Sequence, residues 1–252
     1  MIVSKQSVLL SIFLTVNVWG DSILLSDKES LTQEEAIDYC HKLGKNWYLP
    51  SIKTLYELSK TTKLNLDYSY WSSSWALSGD AEIGTGSEGD GGILAKVGYS
   101  FYPKEKNVTL SPQSKRIAAL CTNIDIKHYK NHYIDHQNLV YDEHNKIYWH
   151  HLLKTDRKKK FTYKNAQNYC DSLSIGGRIW RLPSVDELYS IVDYDYSLPS
   201  VDTKYFDAVM HRYYWTQSSL NEQENYVVGF KLGSIATVQK SEEAFVRCVS
   251  DE

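Results

Sequence analysis

The stretch WRLPSVDELY, residues 180–189, decides the fold, because a diverged copy, WYLPSIKTLY, occupies residues 47–56. Both copies keep the tryptophan, the Leu-Pro-Ser triplet and the Leu-Tyr pair, whereas the charged residues Arg181, Asp186 and Glu187 are replaced in the first copy. A proline disfavours helix at the residue before it, and a serine directly after it can cap a new helix. Each stretch therefore predicts a corner at which a short extended segment turns into a helix, anchored by an aromatic side chain.

A longer internal repeat, with a period of about 130 residues, contains the two stretches. In each copy a segment ending Tyr-Cys leads through the corner to a Tyr-Trp-Ser or Tyr-Trp-Thr triplet. A Val-Gly-aromatic triplet follows, at residues 97–99 and 228–230, and each copy closes on a short apolar segment with a cysteine. The repeat predicts two tandem domains, over residues 21–125 and 126–252.

Local signals make each predicted domain α+β. Thr32 and Thr162 stand where a hydroxyl caps a helix, and the third residue after Thr32 and after Ser184 is a glutamate, which predicts capping boxes. Apolar residues then recur at helical spacing, so that the first cysteine of each copy faces the core. The Tyr-Trp segments favour strands, and NLVYDEHNKIYW, residues 138–149, predicts a hairpin that the first copy lacks. We expect two helices packed on small antiparallel sheets in each domain.

Four cysteines follow the first 20 residues: Cys40, Cys121, Cys170 and Cys248. Two lie in each predicted domain, separated by 81 and 78 residues. Of the three possible connectivities, this spacing favours one long-range disulfide per domain, Cys40 with Cys121 and Cys170 with Cys248. In the loop-entropy model each bridge is worth roughly 4–5 kcal/mol. The alternative is four buried free thiols.

Residues 1–20 have the features of a signal peptide. Lys5 supplies a positive charge, residues 8–18 form a short apolar run, and Val18 and Gly20 fit the last positions before a cleavage site. The run is too short to span a bilayer of roughly 30 Å. We expect an exported chain with no transmembrane segment after removal of the signal peptide, an uncleaved N-terminal anchor being the alternative.

The charge balance argues against nucleic acid as a partner. The net charge is −3, with 11 basic and 14 acidic residues in 21–125 and 16 and 17 in 126–252. Neither half has the positive excess that is typical of nucleic-acid-binding domains.

The second half resembles the Lcl C-terminal domain family. The resemblance rests on VYDEHNKIYW, an Ala-x-x-Tyr-Cys helix, GGRIWRLPSVDEL, YWTQS and VRCV, which together cover about residues 138–250. The first half is similar to a diverged copy, since it lacks the hairpin tryptophan, has Tyr48 in place of the motif arginine and ends AALC rather than RCV. The resemblance implies an extracytoplasmic α+β domain of C-type-lectin-like type, in which a helix cysteine bridges to a late-strand cysteine. Members occur in bacterial envelope and surface proteins, one of them an adhesin that binds sulfated glycans.

A cationic run in the second half is a candidate ligand-binding site. It contains five positively charged residues: Lys154, Arg157, Lys158, Lys159 and Lys160. A dense, exposed cationic loop attracts polyanions, with an affinity that falls as salt rises. Anionic glycans or lipopolysaccharide are the ligands we expect there, the alternative being a solubilising loop between a strand and a helix.

The connector between the predicted domains is a weak candidate metal site. His128, His132 and His136 have the spacing of one helix face and could together bind a transition metal. The surrounding segment is rich in tyrosine, asparagine and aspartate, so that a solvated linker is the preferred interpretation. We therefore predict no metal and no cofactor.

No catalytic motif of the GxSxG or HExxH kind occurs. Trp71 and Trp215 also lack the Trp-Asn-Asp context of calcium-dependent lectins, and the tryptophans that recur in both copies are expected in the core.

We predict a non-catalytic binding protein of the bacterial cell envelope, in the periplasm or at the cell surface, that recognises a glycan, a polyanion or a protein through loops of the second domain. The alternatives are a metal-dependent envelope protein or enzyme that uses the histidine-rich connector, and a purely structural envelope component.

Overall fold

The structure, a computed structural model, describes residues 16–18, 21–25, 31–61, 64, 67–77, 96–123, 133–136, 139–151, 158–196, 199–206 and 212–252. Four helices occur in this part of the chain: α1 (Gln33–Lys42), α2 (Ile52–Thr61), α3 (Tyr163–Asp171) and α4 (Val185–Ser190). The strands are β1 (Val16–Val18), β2 (Asp21–Leu25), β3 (Tyr70–Leu77), β4 (Lys96–Tyr102), β5 (Asn107–Pro112), β6 (Ala118–Thr122), β7 (Tyr133–His136), β8 (Leu139–Asp142), β9 (Ile147–His150), β10 (Tyr213–Ser219), β11 (Glu224–Gly229), β12 (Ser234–Gln239) and β13 (Val249–Asp251).

One nine-stranded sheet runs through both halves in the order β1-β2-β6-β3-β4-β5-β12-β11-β10, and a four-stranded sheet has the order β13-β9-β8-β7. The halves join where β5 and β12 pair antiparallel, with Val108 opposite Ile235. β3 and β6 pair in parallel. The α+β class is thus present. The small antiparallel sheet expected in each half occurs in the second half as the four-stranded sheet, but the described strands of the first half all belong to the nine-stranded sheet, so that the expectation is wrong there. The nine-stranded sheet is shared because β5 of the first half and β12 of the second half pair with each other.

The hairpin predicted at residues 138–149 is confirmed as β8 and β9. The Asp142 carboxylate closes its turn by accepting hydrogen bonds from the backbone N–H groups of His144 and Asn145, both at 3.1 Å. This geometry explains why an aspartate stands at the start of the turn, since its side chain satisfies backbone donors that no strand partner reaches.

Matching contacts in the two halves hold the Tyr-Trp strands to the chain that enters α1 and α3. The indole nitrogen of Trp71 donates to the Leu31 carbonyl oxygen at 2.8 Å, and that of Trp215 donates to the Phe161 carbonyl oxygen at 2.6 Å. Both tryptophans are fully buried, so that each indole N–H needs an acceptor inside the protein. The recurrence of these tryptophans therefore reflects packing.

The two corners are also built alike. The first N–H of α2, at Ile52, donates to Ser74 Oγ, and that of α4, at Val185, donates to Ser218 Oγ, both at 3.0 Å. A serine on the neighbouring strand thus satisfies a backbone donor that the helix itself cannot satisfy.

The Val-Gly-aromatic triplets of the two halves are not equivalent. After a bulge, β3 places Trp75 opposite Gly98 on β4. β10 has a bulge at the same place and sets Ser219 opposite Asn225 on β11. The strand register therefore aligns Gly98 with Asn225 rather than with Gly229, and the correspondence expected between these triplets is wrong because the residue types resemble each other at different register positions.

Capping follows the sequence in three of the four predicted cases, one of which is Ser51, whose hydroxyl accepts a hydrogen bond from the Thr54 N–H at 3.2 Å. Capping boxes with both reciprocal hydrogen bonds occur at Thr32 with Glu35 and at Ser184 with Glu187. Thr162 has the extended backbone of an N-cap, but its side chain makes no capping hydrogen bond. Thr162 therefore marks the residue at which α3 begins, but its hydroxyl does not cap the helix.

Both predicted disulfides are present, Cys40–Cys121 and Cys170–Cys248. Cys40–Cys121 joins α1 to β6, and Cys170–Cys248 joins α3 to the residue directly before β13. Each bridge lies in a local core that also contains a buried tryptophan, Trp71 or Trp215. A third and larger core cluster contains side chains from both halves. The disulfides thus close each half, whereas the shared core joins them.

The boundary expected near residue 125 lies outside the described residues, and the division into two domains stays a prediction. The signal peptide also stays a prediction. Of residues 1–20 the structure describes only Val16–Val18, which pair with β2.

Candidate functional site

An open groove of about 600 Å³ lies at the start of α1, between that helix and the residues near the end of β3 and the start of β4. We call it the Trp75 groove and define it by five of its lining residues: Gln33, Ser73, Trp75, Lys96 and Gln113. These residues come from α1, from β3, from the start of β4 and from the turn after β5.

Gln33 anchors the floor of the groove and is almost fully buried. Its amide nitrogen donates to the carbonyl oxygens of Ser72 at 2.7 Å and Ser74 at 2.9 Å, across the bulge in β3. Its amide oxygen accepts a hydrogen bond from Gln113 Nε2 at 2.6 Å. Because every polar group of the Gln33 side chain is occupied, this residue positions the groove and its partner Gln113 rather than offering groups to a ligand.

Trp75 is the exposed aromatic surface of the groove, with 53% of its surface accessible. The bulge in β3 lies between Trp71, which is fully buried, and Trp75. The Lys96 ammonium nitrogen lies 4.8 Å from the centroid of a Trp75 ring, within the range of a cation–π contact. The groove thus combines a large apolar face with a cation that is itself exposed.

The corresponding place in the second half is lined by different side chains. Tyr163 occupies the position of Gln33, as its N–H donates to the Lys240 carbonyl oxygen just as the Gln33 N–H donates to that of Gln113. The Lys240 ammonium lies 5.5 Å from the Tyr163 ring centroid and donates to the carbonyl oxygens of Asn221 and Glu222. In the second half, the Tyr163 ring and the hydrogen-bonded Lys240 thus stand where the first half has the amides of Gln33 and Gln113. The open groove described above belongs to the first, diverged half.

The charged residues of the repeated stretch are engaged in structural contacts. The Arg181 guanidinium donates to both oxygens of Glu187, at 2.9 and 2.8 Å, and also to the Asp251 carboxylate. Burial alone would raise the pKa of Glu187, but the hydrogen bonds from Arg181 and from the Ser184 N–H hold that pKa below its ordinary value. Arg181 and Glu187 therefore stay charged and paired, and hold the corner in place.

Part of the predicted cationic run lies within the described residues. Lys158, Lys159 and Lys160 are exposed before α3, whereas Lys154 and Arg157 lie outside the described residues. The Lys160 ammonium lies 5.8 Å from the Phe245 ring centroid, so that at least one of these lysines is held against the surface. The run stays a candidate contact for an anionic ligand.

The histidine cluster is described only in part. His136 is exposed on the strand β7, while His128 and His132 lie outside the described residues. A helical face that continues through all three is wrong at its last position, because His136 belongs to a strand. Within the described ranges, no group of three histidine, cysteine, aspartate or glutamate side chains is placed to hold a metal ion.

Trp75 is the candidate site residue that sequence reasoning missed. Of the recurrent tryptophans expected in the core, Trp71, Trp180 and Trp215 are fully buried and Trp47 is half-buried. Trp75 has no aromatic counterpart in the other copy, where Ser219 takes its register position. A tryptophan present in only one copy was the available signal, since packing shared by both copies does not need it.

Comparisons with known proteins agree with the family resemblance expected for the second half of the chain. Residues 138–250 match the family model of the Lcl C-terminal domain, which confirms the resemblance for that part of the chain. No curated protein matches the chain. Among solved structures, the crystal structure of botrocetin is similar at 15% identity and a TM-score of 0.31, over 43% of this chain and 93% of that one. In the described part of the chain, no helix has the length and apolar character needed to cross a membrane.

Proposed function

We propose that this chain, in which residues 138–250 match the Lcl C-terminal domain, is a non-catalytic binding protein that recognises a glycan through the Trp75 groove. The observation that carries the proposal is the exposed indole of Trp75 in an open groove beside a lysine and a side-chain amide. No enzymatic activity is part of the proposal, because the distinctive charged residues of the repeated stretch are engaged in structural pairs.

Sugar rings suit such a surface because one face of a pyranose presents C–H groups while its edge presents hydroxyls. An exposed indole covers the apolar face, and amides and hydroxyls at the rim bond the edge. Gln113 and Ser73 stand at that rim, and Lys96 adds one positive charge. The groove is also pre-organised, since Gln33 ties Gln113 to the bulge of β3 before any ligand arrives.

The location and finer fold class belong to the same proposal. Residues 1–20 act as a signal peptide, and the protein works in the periplasm or at the surface of a bacterial envelope. Two disulfides support export, because such bonds persist in oxidising compartments. The matching contacts of the two halves support a tandem of C-type-lectin-like units, the first of which has kept the groove.

Glycan-array binding of the mature chain, followed by calorimetry with the best ligand, tests the function. W75A should weaken binding about tenfold or more, because losing a central aromatic anchor typically costs roughly 1–2 kcal/mol or more. Y196A is the matched control, since Tyr196 is an exposed aromatic outside the groove and 39% of its surface is accessible. Equal affinities of W75A and the unmodified chain for the same glycan would refute the assignment of the groove.

The same array at low and high salt separates a contribution from Lys158, Lys159 and Lys160. If these lysines contact an anionic glycan, the affinity for that glycan falls as salt rises, while the affinity for neutral glycans does not. W75A should lose affinity for both classes.

A further inference from the structure

The two copies of the repeated stretch, residues 47–56 and 180–189, contact each other inside the molecule. α2 follows the first corner and α4 the second, and the rings of Tyr56 and Tyr189 lie 4.7 Å apart at their contact. These tyrosines are the same residue of the repeat, so that the contact has the character of a twofold interface between the halves. The pairing of β5 with β12 has the same character, as each is the third strand of a matching antiparallel meander, β3-β4-β5 in the first half and β10-β11-β12 in the second.

The charges at this contact differ in sign between the halves. Lys53 and Lys60 of the first half occupy the repeat positions of Asp186 and Asp193 in the second. Lys60 Nζ lies 3.3 Å from Asp186 Oδ1 across the contact and 2.8 Å from Glu57 Oε1 on its own helix. By the repeat, the corresponding pair is Asp193 with Lys53. Burial lowers the pKa of Lys53 to about 8, and the charge of Asp193 opposes this decrease.

Hydrogen bonds across the contact also hold the two halves together. The Tyr56 hydroxyl donates to Asp186 Oδ1 at 2.7 Å, and Lys53 Nζ donates to the Ser190 carbonyl oxygen at 3.3 Å. On the sheet side, the Tyr99 hydroxyl donates to the Leu232 carbonyl oxygen at 2.7 Å. The contact therefore has a shared apolar and hydrogen-bonded centre flanked by charges.

We propose that this contact is a heterotypic pairing surface, which accepts a repeat unit of opposite charge and rejects a like unit. In a symmetric pairing of two second halves, Asp186 of one would face Asp193 of the other, and two first halves would bring lysines together. Like charges in an interface disfavour the wrong partner, whereas opposite charges admit the right one. The partner that fits is the other half of this chain.

This surface acts independently of the Trp75 groove. It explains why the charged positions of the stretch changed between the copies while the tyrosine stayed: Lys53 stands where the other copy has Asp186. The charges determine which repeat units can pair. The contact between the tyrosines would be present both in a pairing of like units and in a pairing of unlike units.

Charge exchange in the full chain tests the proposal. D186K/D193K places lysines on both sides of the contact and should lower the melting temperature by several degrees. The fourfold variant K53D/K60D/D186K/D193K restores opposite charges in inverted order and should regain at least half of that loss. E242K/E243K is the control for the same change in net charge, at two exposed residues away from α2 and α4, and should melt close to the unmodified chain.

Salt separates charge pairing from simple damage to the fold. The deficit of D186K/D193K should shrink in about 1 M salt, because the repulsion is screened there. A fourfold variant that melts no higher than D186K/D193K, or a deficit that salt leaves unchanged, would overturn the proposal. In that case, the surface would be held by shape and hydrogen bonds alone.

Discussion

Single residues show how one backbone requirement is met from different places in the chain. The bulges in β3 and β10 each leave a carbonyl that needs a donor. Gln33 Nε2 bonds the Ser72 oxygen at 2.7 Å, and Asn225 Nδ2 bonds the equivalent Thr216 oxygen at 3.1 Å. A Cβ at Gly98 would lie 2.7 Å from the Gln33 amide, so that glycine is needed where the donor arrives from the helix. In the second half the donor, Asn225, lies on β11, the strand that pairs with the bulged strand β10.

Removing either amide should cost a similar amount. Q33A and N225A each leave a buried carbonyl without its side-chain donor, and each should lower the free energy of unfolding by about 1–3 kcal/mol. Urea denaturation followed by circular dichroism measures the change. Q239A, at an exposed glutamine, is the control and should shift the free energy by less than about 0.5 kcal/mol. The equivalence of the two amides fails if only one of the variants is destabilised.

At the scale of elements, α4 shows how a short helix is held in place. It has only six residues, which is too short to be stable alone. Its capping box and the Arg181 pair fix its first turn, and the Arg181 backbone bridges to Val249. In the first half Tyr48 takes the arginine position and makes the same kind of bridge, to Thr122. The backbone corner is therefore common to both halves, and the ionic clamp belongs to the second.

E187Q should lower the free energy of unfolding at neutral pH by about 1–2 kcal/mol, since it weakens both the pair with Arg181 and the cap. The folded-state pKa of Glu187 lies below the ordinary value of 4.5. Its contribution is therefore present above that ordinary pKa and is lost as pH falls through the folded-state pKa.

Denaturation at neutral and at acid pH measures both effects. The gap between E187Q and the unmodified chain should narrow as the pH falls, and a gap that widens would contradict the assignment. E243Q, at an exposed glutamate, is the control and should leave the gap near zero at both pH values.

At the scale of the whole molecule, the continuous sheet and the shared core join the halves. The largest core cluster draws on both halves, from Leu55 and Phe101 to Val228 and Ile235. Elements that share one buried core lose its stabilisation together when either half unfolds. The repeat is therefore visible in the chain, but the folded protein should behave as one unit.

Differential scanning calorimetry should show one unfolding transition. Removing one bridge with C40S/C121S should lower the temperature of that whole transition, because a disulfide over a loop of this length stabilises by up to roughly 4–5 kcal/mol. Two separate transitions, of which only one moves in C40S/C121S, would show that the halves unfold independently.

Parts of the fold could be predicted from the sequence, whereas the groove could not. The caps at Thr32 and Ser184 and the two disulfides depend on residue spacing along the chain, and they were predicted correctly. The groove was not predicted, because its residues come from four separate segments and meet only through the bulge in β3. The expectation of a binding site on the second half alone therefore missed the residue Trp75 in the first.

The sequence by itself determined the repeat, the corner in each copy, the helix caps and the cysteine pairing. These follow from simple rules of sequence: a proline restricts its neighbour, a hydroxyl caps a nearby N–H, and two cysteines at a similar separation in each copy favour one bridge per copy. Only the tertiary structure decided which strand positions correspond, which faces of the halves meet, and that Lys60 stands opposite Asp186. The reason is physical, because register and interface arise from contacts between residues far apart in the chain, and neither leaves a periodic signal in the sequence.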